Sequence, residues 1–469
     1  MSQDYNEDSL NKKGMSIPVI AVFDIGKTNK KILLFDEKLQ MVFQKEQKMP
    51  TIVDEDGFEC DDIDLIEDWM KSTLKQLVDE KDYDVKAVNF STYGASLAFL
   101  DEAGKRLTPI YNYLKPIDES IHQALYEKYG GEAEFCRQTA SPALGVMLNS
   151  GIQILWLQKE QPELFVKVKD ILHFPQYLSY LLTGNVTSES TSIGCHTFMW
   201  NFDDSKYHQW LTDAGVKLPD PVSNQLCLDS KLDGVDIKTG IGIHDSSSSL
   251  VPYFKGSDEK FVLVSTGTWC INMNPYNYSP LTADQLKRDC LCYISSEQKP
   301  VKSSRLFMGH IHDVNTERLT NFFKVESNQY KKVKADEALM NQYLSKGKER
   351  MFFKDEMSAD YIDTSIDLSQ FSSFDEAYHR LMFDLTLLDA ESLDLVMSDD
   401  VKTIYISGGF ARNEMFIRLM ANFYPQCKVY TSEVDNASAL GAALLVYDQL
   451  DSKEKPSVDL GLKYWKAFG

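Results

Sequence analysis

The chain contains no uninterrupted apolar stretch of 18 residues, the length a membrane-spanning helix needs. Met1 to Gly14 is polar, carries both charge signs and lacks the apolar run of a signal peptide, so a soluble cytoplasmic protein is expected. Cysteine is sparse. Cys60, Cys136, Cys195, Cys227, Cys270, Cys290, Cys292 and Cys427 are scattered over 469 positions, which does not read as a disulfide framework. Cys290 and Cys292 are the one close pair. With no second pair at zinc spacing, they read as two residues on one face of a strand. No Gly-x-x-x-x-Gly-Lys-Ser/Thr occurs, which excludes a P-loop enzyme. Positive charge is in short supply, with 49 Lys plus Arg against 70 Asp plus Glu and a net charge of −21. That field repels phosphate backbones and anionic lipid, so neither nucleic acid nor membrane is an expected partner. A single anionic ligand held locally by backbone N–H groups or Mg²⁺ is still compatible with it. Hydrophobic residues at 43% and charged residues at 25% are ordinary for a globular protein, and the length suits roughly two to four domains.

Regular structure is expected from Ile17. Val19 to Phe23 is a continuous apolar run, the pattern of a strand buried on both faces. A polar turn with one glycine follows, Asp24 to Lys31, and Ile32 to Phe35 resumes the strand. Ile63, Ile66, Met70, Leu74 and Leu77 lie on one helical face. Val85 to Phe90 predicts another strand, ending at Ser91-Thr92-Tyr93-Gly94. The opening pattern then recurs: Phe261 to Val264, a turn at Ser265-Thr266-Gly267-Thr268, and Trp269 to Met273. Gly26 and Gly267 are 241 residues apart, about half the chain, which suggests two domains of related architecture. Val401 to Ile406 predicts a strand leading into Ser407-Gly408-Gly409, with a helix through Phe416 and Phe423 beyond it. Asn436 to Tyr447 reads as a small-residue helix able to pack closely on a sheet.

Three segments carry chemistry. Asp24 ends a buried strand beside a donor-rich turn, where a carboxylate can hold Mg²⁺ through water while the turn and Lys27, Lys30 and Lys31 meet phosphate. A plain hairpin uses the same residue types, and only the second hairpin favours the functional reading. In Gly242-Ile243-His244-Asp245, followed by four serines, Asp245 can act as a general base on a hydroxyl or serve as a helix N-cap. The helix dipole lets one carboxylate do both. His244 can bond a substrate hydroxyl or be a satisfied semi-buried histidine. In Ser407-Gly408-Gly409-Phe410-Ala411-Arg412-Asn413 the glycines let a flat ligand approach the backbone, or simply punctuate strand and helix.

In this order the segments resemble the FGGY carbohydrate kinase family. Asp24 to Lys31 fits its Asp-x-Gly-Thr-Ser/Thr-x-x-Lys/Arg motif, with Lys27 in place of the usual threonine. Gly242 to Asp245 matches the Gly-x-His-Asp loop of the rhamnulokinase-like branch. Ser265 to Trp269 is similar to its Ser-Gly-Thr-Trp turn, and Ser407 to Asn413 to its adenine-site Gly-Gly-x-x-x-Asn. Ser91 to Ser96 resembles the sugar loop, and Pro175 to Gly184 a family segment in which Gln176 replaces aspartate. The resemblance implies an actin-like (ribonuclease H-like) α/β fold of two ATPase domains with a cleft between them. It implies a polar N-terminal extension over 1–16, a sugar-binding domain over 17–250, a nucleotide-binding domain over 251–450 and a tail over 451–469.

The same resemblance implies ATP and Mg²⁺ as cofactors and a small sugar as substrate. Asp245 would be the base, and Asp24 would hold Mg²⁺ through water. Lys27, Thr28, Asn29, Lys30, Lys31, Gly267 and Thr268 would bind phosphates, and Gly408, Gly409 and Asn413 the adenosine. Thr92, Tyr93, Gly94, His244 and Ser246 would meet the sugar. The substrate implied is a ketose such as L-rhamnulose or L-fuculose. The alternatives are xylulose, ribulose, glycerol, or a catalytically degenerate sugar-binding regulator of the same fold. One family loop is not visible, and Leu306 to Asp313 stands about where it would be. The spacing of His310 and His312 there reads as a strand face rather than a metal site.

Overall fold

The computed structural model describes residues 16–232, 234–354, 358–450, 452 and 456–469. The expected extension over 1–16 therefore lies, apart from Ser16, outside the described residues.

Two sheets organise the chain. The first contains β1 (Ile17–Ile25), β2 (Lys30–Phe35), β3 (Met41–Gln47), β4 (Tyr83–Thr92), β5 (Cys227–Leu232) and β6 (Val235–Gly240), in the order β5-β6-β4-β1-β2-β3. A short β7 (Ile243–His244) also pairs with β4. The second contains β8 (Phe261–Thr266), β9 (Cys270–Asn274), β10 (Cys290–Ile294), β11 (Pro300–Leu306), β12 (Thr403–Gly408), β13 (Lys428–Thr431) and β14 (Lys463–Trp465), in the order β10-β11-β9-β8-β12-β13-β14.

The halves repeat one plan. β1 pairs antiparallel with β2 and parallel with β4, and β8 pairs antiparallel with β9 and parallel with β12. β2 continues antiparallel to β3, as β9 does to β11. β6 and β13 extend the parallel sides. This is the duplicated actin-like arrangement, and Gly26 and Gly267 occupy equivalent turns. The apolar runs are buried as expected: Val19 to Phe23 are 0% exposed, because parallel strands in the middle of a sheet have both faces covered.

Helices cover the sheets. In α1 (Ile63–Asp79) the residues of the expected apolar face are buried, and Asp62 caps the start by accepting from Leu65 N–H. α2 (Asp245–Gly256) runs through position 250, the expected domain boundary. α3 (Met308–Phe323), α4 (Phe374–Asp394) and α5 (Glu414–Phe423) belong to the second half. α6 (Ala437–Leu445) comes from the second half of the sequence, yet its alanines pack with Ile20 and Val22 of the first sheet and Val251 of α2. Gly441 permits this approach, since a Cβ there would stand 2.0 Å from the Ser248 carbonyl oxygen of α2.

Two elements differ from expectation. Met308 to His312 is the first turn of α3, not a strand face. β11 ends at Leu306, and Ile311, Asn315 and Leu319 continue a buried stripe at helical spacing. Within 451–469, β14 extends the second sheet against β13, and Phe468 is buried.

Candidate active site

Each functional segment follows the carboxyl end of a parallel strand of its sheet, where open α/β sheets form their crevices. Asp24 lies near the end of β1, Tyr93 follows β4, Asp245 follows β7, Gly267 follows β8 and Gly409 follows β12.

Asp24 is in register with Lys31 on β2 and Ser91 on β4. Ser438, in the first turn of α6, donates to both of its carboxylate oxygens at 3.2 Å. Burial first, and the negative charge of Asp245 second, push the Asp24 carboxyl up to about 6. Asp245 opens α2. Its Oδ1 accepts from Ser246 N–H at 2.6 Å and from Ser246 Oγ at 3.3 Å. Burial pushes this carboxyl up to about 6 as well. The side chain is nonetheless 35% exposed, as expected on the floor of a cleft, surrounded by protein but reachable by solvent. Among the described residues no lysine or arginine pairs with it. A buried carboxylate with the Ser91 and Ser438 hydroxyls against it suits a hard cation that retains its waters, so Asp24 fits Mg²⁺ held through water.

The first turn is closed by Gly26 N–H to the Asn29 carbonyl at 2.9 Å. Its lysines are engaged. Asp61 accepts from Lys27 Nζ and Lys30 Nζ at 2.8 Å each and from the Tyr93 hydroxyl at 2.7 Å. Burial pushes the Asp61 carboxyl up, but these bonds outweigh it and hold the group below the ordinary carboxylate range. Lys27 Nζ also lies over the rings of Tyr93 at 5.4 Å and Tyr113 at 5.8 Å. Lys31 donates to Asn436 Oδ1 at 3.1 Å, and Asn29 Oδ1 is buried without a partner. Thr28 is exposed.

The second turn carries no charge. Gly267 and Thr268 are exposed, as are Gly408 and Gly409 across the β8–β12 register. Gly408 has φ +84°, and a Cβ there would fall 1.8 Å from the Thr266 carbonyl oxygen. Open space lies beside Gly409. Bare backbone of this kind fits a nucleotide's phosphates and flat base. Asn413 caps α5 by accepting from Phe416 N–H, and its amide faces Tyr378 and Met382. Thr92 donates to the Tyr93 carbonyl, and Gly94 sits against Cys195 and His244. His244 is 3% exposed and lies behind Asp245, with Nε2 at 3.2 Å from Oδ1.

The structure thus brings Asp24, Asp245, Ser246 and Ser438 together, sets the Gly267 and Gly408 turns side by side, and turns Lys27, Lys30, Lys31 and Asn413 toward protein partners. Sequence reasoning missed Asp61, Tyr113, Cys195 and Ser438. Only Ser438 had a local signal, in the small-residue helix that carries it. His310 and His312 join no metal cluster among the described residues. His312 faces Asp313 and Tyr378.

Residues 19–219 match the model of the FGGY family of carbohydrate kinases, N-terminal domain, and residues 258–455 that of the carbohydrate kinase FGGY, C-terminal domain. A rhamnulokinase of Halalkalibacterium halodurans is 25% identical over 260 residues, 53% of this chain and 52% of that protein. The chain thus aligns with about half the length of the curated relatives it matches. Among solved structures, a carbohydrate kinase from Novosphingobium aromaticivorans superposes with a TM-score of 0.80 at 24% identity, covering 97% of this chain and 95% of that one. A ligand-bound xylulose kinase from Lactobacillus acidophilus gives 0.76 at 19% identity, covering 96% and 93%. A glycerol kinase from Plasmodium falciparum with ADP gives 0.72 at 17% identity, covering 94% and 91%. These likenesses establish the fold, and the two domain models, matched in order across most of the sequence, establish that the chain belongs to the FGGY family of carbohydrate kinases.

Proposed function

We propose that this protein transfers the γ-phosphoryl group of ATP to a hydroxyl of a ketose, of the L-rhamnulose or L-fuculose type. The observation that carries the reading is Asp245: a partly exposed carboxylate at a helix N-terminus, with no lysine or arginine partner among the described residues and with a second carboxylate, Asp24, close enough to feel its charge. Such a group is available to take a proton from an acceptor hydroxyl as its oxygen attacks phosphorus in line.

Each half contributes a different part. Gly267, Thr268, Gly408 and Gly409 offer backbone to the nucleotide. Thr92, Tyr93, Gly94 and Ser246 form the wall against which the sugar rests, with His244 behind it. Asp24, steadied by Ser438, would hold Mg²⁺ through water, and the bound ion would offset the phosphates' charge. Most of the acceleration would come from positioning and charge stabilisation. The similarity to rhamnulokinases favours a 6-deoxyketohexose. A second reading, xylulose or glycerol, follows from fold neighbours with those names.

The test is kcat/KM with Mg·ATP over L-rhamnulose, L-fuculose, L- and D-xylulose, L- and D-ribulose, and glycerol. A 6-deoxyketohexose is expected to lead the panel. A lead for xylulose or glycerol would replace the substrate assignment and leave the chemistry intact.

A further inference from the structure

Glu189 is a fully buried carboxylate that the proposed reaction does not use. It caps a short helix, Ser190–Ile193, and takes three hydrogens. Oε2 accepts from Thr191 N–H at 2.7 Å, and Oε1 accepts from Ser192 N–H and from the Thr191 hydroxyl, each at 2.7 Å. The two N–H bonds are those of an ordinary helix cap. The third goes beyond a cap. It uses the one hydrogen of the Thr191 hydroxyl and leaves that oxygen with lone pairs alone. One of these accepts the His244 backbone N–H at 3.1 Å.

His244 directly precedes the base. β7, which carries it, is two residues long and pairs with β4 at Ser91 and Thr92. As the N-cap of α2, His244 makes no side-chain cap bond, and the Asp245 carboxylate turns to the N–H of Ser246. Other side chains hold the loop further back. Gln176 donates to the Ile241 carbonyl, and Asn89 accepts from Gly242 N–H. Thr191 grips the backbone one residue from the base.

That grip has little freedom to relax. Thr191 is fully buried, so bulk water does not reach its hydroxyl. The short helix is backed by the second half of the molecule, since a Cβ on Gly194, at its end, would stand 2.4 Å from Ile294 Cγ1 of β10. The base is therefore seated on a turn that is itself wedged against the edge strand of the second sheet.

We propose that Thr191, its hydroxyl oriented by Glu189, is a positioning residue for Asp245: its oxygen fixes the His244 peptide and with it the distance from the base to the acceptor hydroxyl. The inference rests on Asp245 being the base. A small error in that distance lowers rate rather than affinity, because proton transfer depends on geometry far more steeply than sugar binding does.

The test is steady-state kinetics on the full chain, with active sites measured by nucleotide-binding stoichiometry. Thr191→Val keeps the shape and removes the acceptor. Its kcat per site should fall ~10-fold, with the KM values for sugar and nucleotide unchanged. Thr191→Ser keeps the hydroxyl and should restore kcat. Glu189→Gln should lower kcat as well, but no further when combined with Thr191→Val, because both act through one bond. A merely structural role would lower Tm and the number of active sites while leaving kcat per site intact, and that result would overturn the proposal. So would a Thr191→Ser variant as slow as Thr191→Val. In the unaltered chain the His244 amide should exchange with D₂O slowly, and rapid exchange would overturn the proposal even if no variant folds. An active Asp245→Asn would overturn the base reading and this inference together. An inactive Asp245→Asn beside a full-rate Thr191→Val would overturn this inference alone.

Discussion

The two glycine turns are products of one repeated plan, and they have opposite contents. The turn after β1 is rich in charge, with two lysines fastened to Asp61 and a third to Asn436, beside the carboxylate of Asp24. The turn after β8 is uncharged and exposed, and it faces another bare glycine turn across the sheet register. On the proposed function, equivalent backbone would serve two tasks. A strand end that holds an ion and an acceptor would need fixed charge, which fits the pinned side chains of the first turn. A strand end that receives phosphates and a flat base would need N–H groups and space, which fits the small, exposed residues of the second. The first half should therefore govern chemistry and the second half nucleotide affinity.

The sharpest break between them is expected at Asp245. Asp245→Asn should lower turnover by ~10²–10⁴-fold, the range of a lost general base, with nucleotide affinity by calorimetry unchanged. Next in size is pH. With the carboxyl pushed up to about 6, kcat/KM should fall roughly tenfold per unit below about pH 6, because the base is then protonated. A rate that is flat through that window would place the base elsewhere. On the other side of the cleft, Gly408→Ala forces a Cβ to 1.8 Å from a carbonyl oxygen at positive φ. It should weaken nucleotide binding at least ~10-fold, equivalent to about 1.4 kcal/mol, while sugar binding by calorimetry persists.

A smaller effect concerns stability. The folded state holds the Asp245 proton up to about 6 against an ordinary 3.8. Stability from this group is therefore present below 3.8 and lost as pH rises through about 6. Asp245→Asn should raise unfolding free energy near neutral pH by about 1 kcal/mol, discounted for cleft water, and add nothing near pH 4. Chemical denaturation at the two pH values measures this. The smallest effect is expected from Lys27→Thr. Lys30 still holds Asp61, so stability should change by less than about 1 kcal/mol. A large loss of nucleotide affinity in that variant would show that Lys27 leaves Asp61 for phosphate, and would blur the division between the turns.

Much of this was legible because its grammar is local. A buried apolar run, a polar turn with one glycine and a resumed run identify β1, β2, β8 and β9, and place Asp24 and Gly267. Gly-x-His-Asp before a serine run places Asp245 at a helix start. What was not legible depends on distant sequence. Asp61 reaches Lys27 and Lys30 from a separate hairpin, and Cys195 reaches His244 across 49 positions. α6 crosses to the first sheet because Gly441 admits Ser248, a fit that no single segment reveals. Met308 to His312 carries histidines at alternate positions, the period of a strand, while the buried helical stripe at Ile311, Asn315 and Leu319 lies mostly beyond it.

The most direct measurement is ADP release from Mg·ATP with and without sugar, using the full chain near neutral pH. Release that depends on a ketose is the predicted result. Nucleotide binding without sugar-dependent release, across the whole panel, would contradict it and would leave a protein of kinase fold that does not carry out the transfer.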